Sequence, residues 1–201
     1  NVAHYPFVSR ATEQDRSDTE RLLRERITTV PVGRELDYID VGHLEEIDRK
    51  FLVERQLISR EHAAKSSGSG LVLNREETIC VMINEEDHLR IQVFHSGFDL
   101  EACWKLANRV DDQLDERLPF AFHDEFGYLT ACPTNLGTGI RVSAMLHLPG
   151  CVLDEQINPI IQSVNKLGLA VRGLYGEGTE ALGNIFQVSN QMTLGENEST
   201  I

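Results

Sequence analysis

The feature that most restricts the fold is how little chain separates neighbouring apolar runs. Residues 71–74 (L-V-L-N) and 78–83 (T-I-C-V-M-I) are joined only by the turn residues Arg75, Glu76 and Glu77. A parallel crossover needs about a dozen residues or more, so these two runs are expected to pair antiparallel. The connection around Pro133 is too short for a crossover helix as well. Helical patterns lie between the strand pairs. The fold class expected is therefore α+β, a mainly antiparallel sheet flanked by helices.

Thr12 and Asp15 have the spacing of a capping box, and Leu22, Leu23 and Ile27 follow on one face, which predicts a helix over 12–29. Leu44, Ile47, Phe51 and Leu52 predict a second over 41–58, and both helices are expected to pack one face on a sheet. From Asp99, Cys103, Leu106, Ala107, Val110, Leu114 and Leu118 trace a third, with Asp111, Asp112, Asp115 and Glu116 on a solvated opposite face. A last helix over 154–167 is expected to bury Ile157, Ile160, Ile161 and Val164. Further strands are read over 120–131, 140–148, 169–172 and 185–188. Residues 63–70 (A-A-K-S-S-G-S-G) are small and polar and read as a flexible loop.

With 201 residues, 41% of them hydrophobic, and no apolar run of membrane-spanning length, the chain reads as one soluble domain over 1–201. Lys and Arg number 19 against 32 Asp and Glu, and a net charge of -13 with no basic run argues against binding a nucleic-acid backbone. Cys80, Cys103, Cys132 and Cys151 are widely spaced without metal-ligand or disulfide patterning, so reduced thiols and a cytoplasmic setting are expected. Cys80 and Cys103 read as small core residues. The chain opens on Asn1 rather than Met, and is read as a fragment truncated at its N terminus and at its C terminus.

Three segments carry unusual chemistry. Asn84-Glu85-Glu86-Asp87-His88-Leu89-Arg90 crowds charge between two apolar runs; an exposed hairpin turn is the plainest explanation. Cys132-Pro133-Thr134-Asn135-Leu136-Gly137-Thr138-Gly139-Ile140-Arg141 is a glycine-rich connection whose amides and arginine suit an anion, or an ordinary turn. Arg172-Gly173-Leu174-Tyr175-Gly176-Glu177-Gly178 surrounds one carboxylate with glycines, or is simply a loop.

Taken together and in this order, N-E-E-D-H-L-R, C-P-T-N-L-G-T-G and R-G-x-x-G-E resemble the three signature stretches of the ATP:guanido phosphotransferase family, over about residues 54–195. V-R-G-L-Y-G-E-G-T-E-A-L-G-N and the ending Q-V-S-N-Q-M-T-L-G resemble the bacterial protein-arginine kinase branch, as does F-L-V-E-R-Q-L-I-S. The resemblance implies a phosphagen-kinase catalytic domain of glutamine-synthetase-like architecture. It implies Glu86 as catalytic base and guanidinium anchor, Glu177 as the second carboxylate gripping the substrate, and Cys132 as the reactive thiol beside it. Arg90, Arg141 and Arg172 match the arginines that hold nucleotide phosphates, with ATP and Mg²⁺ as cofactors and no protein-held metal. Gln56 is a departure, standing where many relatives have a His that contacts adenine.

These residue types suit the chemistry. A guanidinium is protonated at neutral pH, so a kinase acting on it must orient the group and accept its proton, which carboxylates do. Arginines stabilise the charge on the transferring phosphoryl group. His88 is expected to hold its loop by hydrogen bonds rather than to bind metal. The resemblance implies arginine-bearing protein substrates, an activator protein, degradation machinery, a homodimer and a role in stress response. The alternatives are a phosphagen kinase acting on a free guanidino metabolite and a non-catalytic adaptor of the same fold.

Overall fold

The computed structural model describes residues 1–31, 36–173 and 182–201. The chain divides into two compact units, Asn1–His123 with Leu129–Ala131, and Asp124–Tyr128 with Cys132–Ile201. In the first, the elements are α1 (Glu13–Ile27), β1 (Leu36–Asp40), α2 (Glu46–Glu54), α3 (Arg60–Ala63), β2 (Gly70–Asn74), β3 (Ile79–Ile83), β4 (Leu89–Val93), α4 (Leu100–Asp115) and β5 (Phe122–His123). The second holds β6 (Gly127–Tyr128), β7 (Ser143–His147), α5 (Pro149–Leu153), α6 (Ile157–Lys166), β8 (Leu169–Gly173) and β9 (Ile185–Asn190).

Strands β1-β2-β3-β4 form an antiparallel meander in that order. The turn after Asn74 forces the β2–β3 pairing; Asn74 Oδ1 accepts from Ile79 N–H at 2.8 Å and fixes its register. Strand β3 is buried along its whole length because side chains of opposite parity serve two cores. Ile79, Val81 and Ile83 join Val72, Leu23, Ile27, Val110 and Leu114 under α1 and α4. Cys80 and Met82 join Leu71, Val41, Leu52, Leu57 and Ile58 on the α2 side. Each fully buried Leu or Ile contributes roughly 2 kcal/mol. Burial pushes the Cys80 thiol up to about 12, and its Sγ donates to Leu57 O, so it behaves as a core residue.

Helix α1 begins where its capping box predicts, with Asp15 N–H donating to Thr12 Oγ1 and Thr12 N–H to the Asp15 carboxylate. Helix α4 begins after Asp99, whose carboxylate accepts from Ala102 N–H. The helix expected over 41–58 is shorter. Val41–His43 is a 3₁₀ turn, α2 covers Glu46–Glu54, and Gln56 takes a left-handed φ of 61° that stops it. Ile47 and Phe51 are exposed, so this apolar repeat is only partly core. Strand β1 was not foreseen.

Nor are residues 63–70 the loose segment their composition suggests. Arg49 Nη1 donates to Ala63 O and Lys65 O, and Asn84 Nδ2 donates to Gly68 O. Side chains distant in sequence supply the order that the segment's own residues lack.

In the second unit, β9 is the centre of a three-stranded antiparallel sheet, β7-β9-β8. Of the four apolar residues expected to be buried on the last helix, Ile161 is buried and Ile160 is exposed. The strand expected over 120–131 is broken at Asp124–Phe126, and Gly127 takes a φ of 70°.

His62 is fully buried, with its Nε2 donating to Gly70 O at 3.0 Å. Burial pushes its pKa down to about 4, so the folded protein holds it neutral while the unfolded chain protonates it near 6.5. The shift costs nothing above pH 6.5, where both states are neutral, and lowers stability progressively, by about 3 kcal/mol in all, as pH falls from 6.5 toward 4. Urea unfolding across that window should show this slope in the wild type, and His62→Gln should flatten it by a comparable amount.

Candidate functional site

The charged run 84–90 forms the turn between β3 and β4 and the first two residues of β4, and most of it is not exposed. Asn84, Glu85 and His88 are buried, while Glu86 and Arg90 face solvent. The turn closes through Asn84 N–H to His88 O at 2.9 Å, with Asn84 in the left-handed region at a φ of 59°.

Glu85 anchors the turn from inside. Its Oε1 accepts from Ser59 Oγ at 2.7 Å and from Arg90 Nη1 at 3.4 Å, and its Oε2 accepts from Glu86 N–H at 3.0 Å. Burial acts to raise this carboxyl, but the Ser59 and Glu86 hydrogen bonds and the Arg90 charge outweigh it and hold the group below the usual carboxylate range. The Glu85 charge is thus retained inside the protein, and its pairing fixes the start of the peptide that carries Glu86.

Asp87 and His88 tie the turn to distant chain. Asp87 accepts from Asn1 Nδ2 and from Ala131 N–H, the latter at 2.7 Å. His88 Nδ1 accepts from Val2 N–H at 3.1 Å, which leaves Nε2–H to donate to Pro6 O at 3.0 Å. This is the neutral tautomer, and burial lowers the His88 pKa in keeping with it. Its role is to hold the loop, as the sequence reading expects.

Cys132, Arg141 and Arg172 belong to the second unit. Cys132 Sγ shares a hydrogen bond of 3.0 Å with Thr134 Oγ1 at the start of a 3₁₀ turn. The glycine-rich connection that follows is clipped by the Q-V-S-N-Q-M-T-L-G stretch. Thr193 Oγ1 is shared between Leu136 O at 2.6 Å and Thr134 O at 3.0 Å, and Asn190 bonds Val142 N–H and Ile140 O. Gly137, at a φ of 101°, lies so close to this clip that a Cβ there would stand 2.6 Å from Thr193 O.

Arg172 lies opposite Gln187 in the β8–β9 register, and Gln187 Nε2 donates to Ser143 Oγ at 2.9 Å. Cross-strand partners share a face, so Arg172 and Ser143 lie on one side of the sheet. Arg141 is exposed and lies two positions before Ser143, ahead of the start of β7.

Glu86 and Arg90 thus lie on the β3–β4 hairpin, while the second unit carries Arg172 on β8 and Arg141 just ahead of β7. Glu177 lies outside the described residues. The residues that sequence reasoning missed are Ser59, Lys65 and Glu85. A second carboxylate directly before the candidate base was the available signal for Glu85; nothing local pointed to the other two.

An exposed carboxylate set directly after a buried one suits a cation, and the arginines of the second unit suit an anion. The fold agrees. It matches the taurocyamine kinase of Schistosoma mansoni, solved with bound transition state analog components, with a TM-score of 0.88 and 28% identity over 100% of this chain and 29% of that one. Lombricine kinase shares the fold with a TM-score of 0.76 and 24% identity, over 100% of this chain and 58% of that one. This is a guanidino-kinase catalytic fold.

The family model described as ATP:guanido phosphotransferase, C-terminal catalytic domain, matches residues 18–201, and the chain belongs to that family. A protein-arginine kinase of Halothermothrix orenii is 47% identical over 100% of this chain and 57% of its own length. Another, of Desulforamulus reducens, is 55% identical over 90% of this chain and 49% of its own. The chain thus spans about half the length of these curated relatives.

Gly137→Ala should destabilise the second unit by about 2 kcal/mol, combining a left-handed backbone with a clash against backbone. A lowered thermal midpoint together with faster amide exchange around Thr193 checks it.

Proposed function

We propose that residues 1–201 act as the catalytic domain of a kinase transferring the γ-phosphoryl group of ATP to the guanidinium of arginine residues in proteins. The observation that carries this reading is the exposed Glu86 at the tip of a turn fixed by buried Glu85. The curated relatives named protein-arginine kinase, at 47% and 55% identity, support the acceptor class.

Glu86 would anchor the guanidinium and take its proton as the nitrogen attacks the γ-phosphorus. The N–P bond forms, the bond from phosphorus to the bridging oxygen breaks, and ADP leaves with that electron pair. Glu177 would grip the guanidinium from the other side, and Cys132 would help position it. Arg90, Arg141 and Arg172 would hold the phosphates through charge-assisted hydrogen bonds. Mg²⁺ would arrive on the triphosphate, since it keeps several waters and needs few protein carboxylates. Among the described residues, no group of three or more His, Cys, Asp or Glu is placed to hold a metal alone.

This reading extends to a cytoplasmic enzyme working with an activator protein and the degradation machinery, as a homodimer. No helix among the described residues is long and apolar enough to cross a membrane.

The full-length protein incubated with ATP, Mg²⁺ and either casein or free arginine tests the reading by acid-labile phosphate. Label on casein alone is expected. Label on free arginine alone would indicate a phosphagen kinase, and none at all a non-catalytic adaptor. Glu86→Gln should lower turnover by about 10²–10⁴-fold without moving the thermal midpoint, because it keeps the shape and loses the base. Arg141→Ala should raise KM for ATP by about tenfold or more while leaving acceptor KM nearly unchanged, as loss of one charge-assisted phosphate contact implies. Steady-state kinetics with each substrate varied in turn reads both.

A further inference from the structure

We infer that Lys65 and Ser59, at the two ends of α3, are positioning residues that set the orientation of Glu86; this rests on the proposed role of Glu86 as base. The Lys65 ammonium donates to two successive carbonyls of the turn, Asn84 O at 2.8 Å and Glu85 O. These are the two peptide groups immediately before Glu86. The left-handed φ at Asn84 is uncommon for a residue with a side chain and brings strain of its own. A cation with three donors can meet both carbonyls at once and offset it.

Ser59 works from the other end of the same short helix. Its hydroxyl donates to Glu85 Oε1 and accepts from His62 N–H at 3.0 Å, so one atom caps α3 and holds the buried carboxylate. Lys65 thus fixes the Glu85 backbone while Ser59 fixes its side chain. Glu85 then accepts from Glu86 N–H, and the chain of contacts ends on the residue that meets substrate.

The platform from which Lys65 reaches is itself rigid. Arg49 donates to Ala63 O, Lys65 O, Gly42 O and Leu44 O, at distances of 2.9 to 3.1 Å. Asn84 Nδ2 meanwhile donates to Arg16 O and Gly68 O, which pins the turn's first residue from its other side. The charged and titratable neighbours of this assembly are Arg16, His62, Glu85 and Arg90.

The strands on which the turn sits do not need Lys65. Ile83 pairs with Leu89, and Asn84 N–H already closes the turn on His88 O. Losing the ammonium frees the Asn84 and Glu85 peptides to rotate, which displaces Glu86 and leaves the sheet in place. Small displacements of a reacting group cost rate more than affinity.

The test uses the full-length protein with ATP, Mg²⁺ and casein. Lys65→Met is expected to lower kcat by about 10- to 100-fold, with KM for ATP and for casein changing less than about threefold. Lys65→Arg, which keeps a cation able to meet two carbonyls, should recover kcat to within about threefold of wild type. Ser59→Ala should lower kcat in the same direction by about 3- to 10-fold. A Lys65→Met enzyme within twofold of wild-type kcat overturns the inference, as does a loss confined to KM or an arginine variant no better than the methionine one. If Lys65→Met does not fold, Ser59→Ala carries the test, and unchanged kcat there overturns it. Glu86→Gln is measured beside them. Wild-type rates in that variant remove the base assignment itself, whereas an inactive Glu86→Gln beside a normal Lys65→Met removes only the positioning role.

Discussion

The buried carboxylate of Glu85 is the interaction on which the candidate site depends. An ion taken from water into a protein interior costs several kcal/mol unless its oxygens are met by donors and opposite charge. Here the Ser59 hydroxyl, the Glu86 amide and the Arg90 guanidinium meet them. Because each donor comes from a different place, satisfying this one group also fixes where those places lie. The next residue is then exposed at the turn, with an arginine four positions along the same hairpin. A charged sequence between two buried strands is thereby an ordered structure rather than a frayed tip.

The second unit solves a similar problem with uncharged groups. Its glycine-rich connection has few side chains with which to fix its own path, so the hydroxyl of Thr193 and the amide of Asn190 bind its carbonyls and amides from outside. Gly137 permits the close approach that this requires. Cys132 and Arg141 stand at the two ends of the clipped segment. Both signature stretches thus owe their geometry to chain from elsewhere.

This division explains what could be read from the residues alone. Features governed by neighbours in sequence were legible: the Thr12 and Asp99 caps, the β2–β3 turn, and the antiparallel class of the fold. The family was legible through the resemblance of its three motifs, and Glu86 and Arg90 lie exposed on the hairpin that carries the first of them. What escaped was governed by distant partners. Residues 63–70 look loose until Arg49 and Asn84 are brought against them. Strand β1 carries acids in a short L-D-Y-I-D run, and becomes a strand because β2 offers an edge. The helix over 41–58 fails at Gln56, where a left-handed residue overrides a good apolar repeat. Lys65 and Ser59 gave no local signal, since their meaning lies in where Glu85 is.

The ties made by Asp87 and His88 also bear on the order in which the chain acquires its parts. The β3–β4 hairpin is local and can pair early, but Val2 lies 86 residues from His88 and Ala131 lies 44 from Asp87. Closing such loops costs entropy before any contact rewards it, so long-range ties of this kind form late. Pairing of the hairpin is thus a local matter, whereas the setting of its acidic tip depends on chain from far along the sequence. The sheet supplies the strands, and segments far away in sequence supply the fixed shape of the loop between them.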